Sequence, residues 1–273
     1  MTDQGIREET VIDFAYFKEF RKSMDFSSQA ASKSHLSAKD IKRKVDTAHL
    51  ASLNARLTEI ITKIHNAVDA EIRVDNLDEL IEEHISRVYE ILTQGDLITK
   101  MNNNGRSIEE VYFNWMRGYL VSVYFTKALC EIFSISSSQI RTIGKDDFTR
   151  PETFQRAATA DLEIETENGS KLRIEIQAGF QGTNDIKRHK VLEARKIHHE
   201  TQVGSLVIHF DIYNGQVAFV PLHTIDDENT NWESRSQMEG QTVFSIDQDA
   251  FVWPLSKKPR KFIDLDVYQE VVG

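Results

Sequence analysis

The sequence predicts a mixed α/β (α+β) chain, in which a helical N-terminal half is followed by a mixed β-sheet flanked by helices. Two observations carry that expectation. Up to Phe133 the apolar residues recur every three or four positions, the helical period, and beyond it they alternate in short runs, the strand period. The 273 residues suffice for a full core, either as one large domain or as a helical part plus a mixed one.

The first helix is expected from about Glu9 to Ser23. The stretch SSQAASKSHLSAKDIKRK follows, rich in Ser and Ala and then basic, with Lys39, Lys42, Arg43 and Lys44 close together. It reads either as a docking point for a polyanion or as a solvated loop and helix start. From Leu50 the positions Leu53, Leu57, Ile60, Ile64 and Ala67 form one apolar stripe. After Asn76, Leu77, Ile81, His84, Val88 and Ile91 form a second, closed by Gly95. These two helices make a hairpin that serves as internal core or as a dimerisation arm. A third helix starts at Ser107, where SIEE reads as a capping box between Ser107 and Glu110. It runs through VYFNWMRGYLVSVYFTKALCEIF, apolar nearly all round, and so belongs to the core.

Strands are expected in QIRTI, TADLEIET, KLRIEIQ, GSLVIHFDIY and QVAFVPL. One helix, about Asn184 to Glu200, interrupts them, and N-capping is the default role of Asn184 and Asp185 at its start. The order helix, strand, strand, strand, helix, strand, strand implies a small sheet covered on both faces.

Thirty-three Lys and Arg against 43 Asp and Glu give a net charge of -10. That excludes nonspecific adsorption of the whole surface to nucleic acid or an anionic membrane, but not a local basic groove. The single Cys130 rules out a disulfide framework and a thiolate metal cluster, and points to a reducing cytoplasm. No apolar run approaches the roughly 20 residues that span a bilayer, and the N-terminus has no signal-peptide core. His198, His199 and His209 lack ligand spacing and read as surface or core residues. No Gly-rich loop with Lys-Ser/Thr supports nucleotide hydrolysis.

The hairpin of TADLEIET and KLRIEIQ is the most informative segment. A two-residue turn at Asn168-Gly169 would set apolar residues opposite polar ones throughout, so it is rejected. A three-residue loop, Glu167-Asn168-Gly169 with Gly169 left-handed, makes Glu165 face Lys171, Glu163 face Arg173 and Asp161 face Glu175. Two carboxylates directly opposite repel unless a proton or cation lies between them. A hard cation such as Mg²⁺ fits, with the backbone carbonyl of Ile176 as a further oxygen ligand. The bland reading is a solvated acidic strand face.

Asp161, then Glu175-Ile176-Gln177 after a hairpin, then a helix, resembles the PD-(D/E)XK nuclease superfamily. The closest likeness is to type II restriction endonucleases whose motif ends in Gln instead of Lys, and it covers about Ser107 to Leu222. The resemblance implies a restriction-endonuclease-like catalytic domain and a Mg²⁺-dependent phosphodiesterase that cuts double-stranded DNA at a short sequence. Asp161 and Glu175 would hold the metal, and Gln177 would take the place usual for Lys. The Pro before Asp161 is absent, Ala160 standing there, and so is the Lys. Either Gln177 positions the attacking water, or Lys187 or Lys190 on the following helix supplies the charge. Glu110 would approach a second metal, although the capping box already accounts for it.

For such an enzyme the expected DNA contacts are Lys39, Lys42, Arg43 and Lys44, then Gln181 and Asn184 in the turn GFQGTN, and Lys257 and Lys258 in SKKPRKF. Asn231 and Arg235 in DDENTNWESRSQ are residue types that read base edges. The helical region 1–105 would contact DNA or dimerise, and 106–273 would hold the catalytic domain and a C-terminal recognition segment. A homodimer suits a palindromic target, and a DNA methyltransferase of the same specificity is the expected functional partner. The competing reading is a noncatalytic DNA-binding or protein-interaction module that keeps a nuclease-like fold.

Overall fold

The computed structural model describes residues 12–37, 44–101, 106–143, 162–166, 169–236 and 240–272. The chain forms two compact units, Met1–Lys44 and Val45–Gly273. In the first, helix α1 (Phe14–Ser23) is capped by Asp13, whose carboxylate accepts from Tyr16 N at 3.0 Å. Helix α2 (Gln29–Ser37) occupies part of the Ser/Ala-rich stretch. Lys39, Lys42 and Arg43 lie outside the described residues; Lys44 is exposed.

The second unit opens with α3 (Thr47–Ala67), capped by Asp46 through His49 N at 2.9 Å. Its buried stripe is Leu50, Leu57, Ile61 and Ile64, so the face expected as core or dimer arm is core. The next segment is not one regular helix. A π-helical turn, Glu82–Ser86, separates α4 (Leu77–Ile81) from α5 (Arg87–Gln94). The wider turn adds a residue to the repeat, so the buried positions run Leu80, Ile85, Val88, Leu92 rather than through Ile81 and His84. His84 instead stands half-buried with Nδ1 2.7 Å from Tyr119 Oη.

The expected third helix is also two. α6 (Ile108–Tyr124) and α7 (Thr126–Phe133) meet at Phe125, which turns into the core and stacks on Phe210 with ring centroids 4.4 Å apart. Ser107 Oγ accepts from Glu110 N at 3.1 Å, but Glu110 does not close the capping box; its carboxylate lies 3.8 Å from Arg106 Nε. Neighbouring Glu109 caps a different helix, accepting from Asp46 N at 2.9 Å ahead of α3.

Among the described residues the main sheet has six strands: β1 (Arg141–Thr142), β2 (Leu162–Glu165), β3 (Lys171–Gly179), β5 (Gly204–Asp211), β6 (Gln216–Pro221) and β9 (Phe251–Pro254). They lie in that order across the sheet. β3 and β5 run parallel and the other neighbours antiparallel. In the β2–β3 hairpin Glu165 pairs with Lys171 and Glu163 with Arg173, the register expected for a three-residue loop. Gly169 takes φ +81°, a conformation costly for any residue with a Cβ. A second sheet, β4 (Asp185–Lys187), β8 (Gln241–Ser245) and β7 (Glu233–Arg235), has no counterpart in the sequence reading.

β4 corrects the expected start of the following helix. Asp185–Lys187 pair with Ser245, Phe244 and Val243, so α8 (Arg188–Thr201) begins four residues later than Asn184. Asn184 and Asp185 are therefore not caps. The buried Asp185 carboxylate accepts from Ser245 Oγ at 2.8 Å and from Arg235 Nε at 3.2 Å, tying the second sheet together.

Alternation along the strands gives the main sheet two faces. Leu172, Ile174, Leu206, Ile208, Phe210, Val217 and Phe219 join Leu57, Met116, Tyr124 and Phe125 of the helices in one core. Val207, Ala218 and Val220 pack on the other side with Ile186, Val191, Ala194 and Ile246. Helices α3 to α7 thus share a core with the sheet. Among the described residues no helix is long and apolar enough to cross a membrane.

Candidate functional site

A cleft of about 1450 Å³ lies where β3, its exit loop, α6 and the start of α8 converge. The face of α6 bearing Trp115, Gly118 and Tyr119 lines it, so this helix, read as core all round, keeps one polar and aromatic side toward the cleft. On the opposite wall, Glu175 and Gln177 share the β3 face that looks toward α8.

Glu175 is 6 % exposed. Lys190, in the first turn of α8, makes an ion pair with its Oε1, and Gln177 Nε2 donates to the same oxygen at 3.0 Å. The parallel register then brings in residues from β5, since Gln177 stands beside His209 and Gly179 beside Asp211. His209 is 3 % exposed, with Nδ1 3.4 Å from Gln177 Oε1 and Nε2 2.9 Å from Asn184 Oδ1. Asn184 Nδ2 donates to Asp211 Oδ2 at 3.0 Å. Asp211, fully buried, also accepts from Asn214 N and Nδ2 and from Gln216 Nε2.

The proton positions follow from that chain. An ionised Asp211 only accepts, so Asn184 turns its NH₂ toward it and its carbonyl toward His209. His209 Nε2 must then carry the proton. Burial pushes the imidazole pKa down to about 4, against the opposing pull of Asp211 and Asp185, so the ring is neutral at pH 7 with Nδ1 bare. For Asp211 burial acts upward, but the hydrogen bonds from Asn214, Asn184 and Gln216 together outweigh it and hold the carboxyl below its ordinary value. Gly179 lets this packing be close. A Cβ there would lie 3.1 Å from Thr183 O and 3.2 Å from His209 Nε2.

The residues singled out in the sequence divide into three groups. Glu175, Gln177 and Lys190 come together in one bonded cluster, with Ile176 on the intervening turn of the strand. Asp161 lies outside the described residues; the last described pair of the hairpin, Leu162 with Ile174, is adjacent to Glu175 in register. Lys187 lines the cleft from the end of β4 and is the residue before α8, so it does not share a helix face with Lys190. Glu110 is not part of the lining.

Of the expected DNA contacts, Gln181 is exposed in the lining, whereas both ends of the Asn184 amide are spent inside the protein. Arg235 lines the cleft but is ion-paired to Asp185 and, at 2.9 Å, to Glu233. Asn231, Lys257 and Lys258 are exposed away from the lining, and Lys258 bridges Glu71 and Glu131.

Among the described residues no three His, Cys, Asp or Glu side chains gather as a metal cage. Glu175 nevertheless supplies the hard carboxylate oxygens that Mg²⁺ takes, and both of its side-chain bonds fall on Oε1. The sequence reading missed His209 and Asp211 as partners of this cluster. Their signal was present in the alternation of GSLVIHFDIY, which sets both on one strand face, but only the parallel pairing to β3 gives that face its neighbours. Comparison of the chain with protein-family models, with curated proteins and with solved structures gives no match.

Proposed function

We propose that the protein is a Mg²⁺-dependent endonuclease of the PD-(D/E)XK superfamily, of the type II restriction kind, hydrolysing phosphodiester bonds of double-stranded DNA at a short sequence. The observation that carries the reading is the Glu175–Lys190 ion pair at the wall of a large cleft, with Gln177 bonded to the same carboxylate oxygen. A buried carboxylate beside a lysine, in the order of elements that the motif requires, supplies an anion for a cation and a cation for an anion.

Asp161, Glu175 and the Ile176 carbonyl are the proposed ligands, and Mg²⁺ when bound supplies Lewis-acid stabilisation of phosphoryl charge. Lys190 takes the role of the lysine missing at position 177. Its ammonium, held at Glu175, stands ready to stabilise the charge that grows on the phosphoryl oxygens. Gln177 carries no charge and orients the attacking water. His209, locked by Asn184 and Asp211, stands beside Gln177 in the parallel register.

The test is incubation of plasmid DNA with the purified protein, with Mg²⁺ and with EDTA. Discrete fragments that need the metal, lost in Glu175→Ala and Asp161→Ala variants that still fold, are expected. Intact DNA across many sequences and divalent metals would instead favour a noncatalytic DNA-binding or protein-interaction module. Action as a homodimer on a palindrome, beside a methyltransferase that protects the same site, belongs to the same proposal.

A further inference from the structure

The cleft holds a cation that the sequence reading did not select. Arg117 projects from α6 on the wall formed by the helices, where its guanidinium lies 4.6 Å from the centroid of the Phe180 ring and 5.8 Å from that of Phe113. Its one hydrogen bond among the described residues runs from Nη2 to Asn114 Oδ1 at 3.2 Å. No carboxylate of the described residues pairs with it, whereas Lys190 and Arg235, which share the cleft, are each neutralised by an acidic side chain. None of its remaining N–H groups is sealed away without a partner, and the residue lines the cleft.

A half-buried guanidinium is ordinarily paired, because removing its water costs several kcal/mol that an anion must offset. Here the Phe180 and Phe113 rings lie close to the guanidinium and offset part of that cost, and the N–H edge that Asn114 leaves remains for a ligand. That edge matches two oxygens of a tetrahedral anion. Phe180 follows β3 directly, five residues after Glu175 and so at most about 16 Å from it along the chain. Arg117 bonds to Asn114 and to no member of the Glu175–Lys190 cluster, so it serves a position flanking that centre.

We propose that Arg117, braced by Phe180, Phe113 and Asn114, is a binding site for a phosphodiester group of the nucleic-acid backbone flanking the bond that is cut. The choice of nucleic acid rests on the nuclease reading above; the anion site itself rests on the unneutralised guanidinium.

Binding of a duplex to the protein in EDTA, followed by fluorescence anisotropy over a series of salt concentrations, separates the two. Arg117→Gln should weaken binding several-fold and reduce the slope of log K against log salt by about 0.9 per subunit, the value for one lost phosphate contact. Arg117→Lys should keep most of the slope. If the duplex binds and the Arg117→Gln slope equals the wild-type slope, the inference is overturned while the nuclease reading survives. Titration with inorganic phosphate, read by the ¹⁵N signal of Arg117 Nε, covers the other case. If no duplex binds, a saturable shift retains the anion site and assigns it to a free phosphate or phosphomonoester, and an unmoved signal overturns it.

Discussion

Lys190→Met tests whether one ion pair governs both the stability and the chemistry of the cleft. The Glu175 side chain is 7 % exposed and that of Lys190 21 %. Removing one member of a buried pair costs about 3–5 kcal/mol, because the other charge stays desolvated and alone. Lys190 keeps part of its surface in water, and Gln177 still donates to Glu175 Oε1, so the cost falls just below that range, to about 2–3 kcal/mol. For a unit of this size that is roughly 4–12 °C in the unfolding midpoint. The decisive companion is Lys190→Met combined with Glu175→Gln. Once the orphaned carboxylate is neutral, most of the loss should return, so the double variant should be more stable than Lys190→Met alone. Urea unfolding of the wild type, both single variants and the double variant measures the cycle. A Lys190→Met variant within about 0.5 kcal/mol of wild type, or strictly additive effects, would refute the reasoning. If the proposed chemistry holds, the same variant cuts DNA about 10²–10³ times more slowly.

Two further outcomes follow from groups around the cluster. His209 has a folded-state pKa of about 4 against an ordinary 6.5, so its neutral form favours the fold. That contribution is complete above pH 6.5 and is lost as pH falls toward 4, on the order of 3 kcal/mol in all; urea unfolding at pH 7 and pH 4.5 should show a smaller acid loss for His209→Gln, and an unchanged loss would contradict a neutral buried ring. Gly169→Ala should destabilise by about 1–2 kcal/mol through its φ of +81° alone, since the added Cβ meets nothing within 4 Å, and a neutral effect in thermal unfolding would mean that the turn relaxes.

The strand hairpin was legible because its information is local. Alternation of Leu162, Ile164, Leu172 and Ile174 admits one register, and that register is the one found. Helix interruptions were less legible. Nothing in the spacing of Leu77 to Gly95 announces a π-helical turn, and the break at Phe125 reflects its seat against Phe210, a residue far away in sequence. The start of α8 was misjudged for the same reason. Asn184 and Asp185 are good capping residues by type, but pairing with β8 and the demands of Asp211 and Arg235 outweigh a local preference.

The sequence by itself determined the fold class, the hairpin and the placement of Glu175 with Gln177 on one face, because strand period and turn length are properties of neighbouring residues. Only the tertiary structure decided which cation meets Glu175, and it is Lys190. It also decided that His209, bonded through Asn184 to Asp211, stands beside Gln177, and that Arg117 faces the cleft without an acidic partner among the described residues. Those meetings depend on the parallel pairing of β3 with β5 and on how α6 and α8 settle against the sheet, which are set by burial across the whole core.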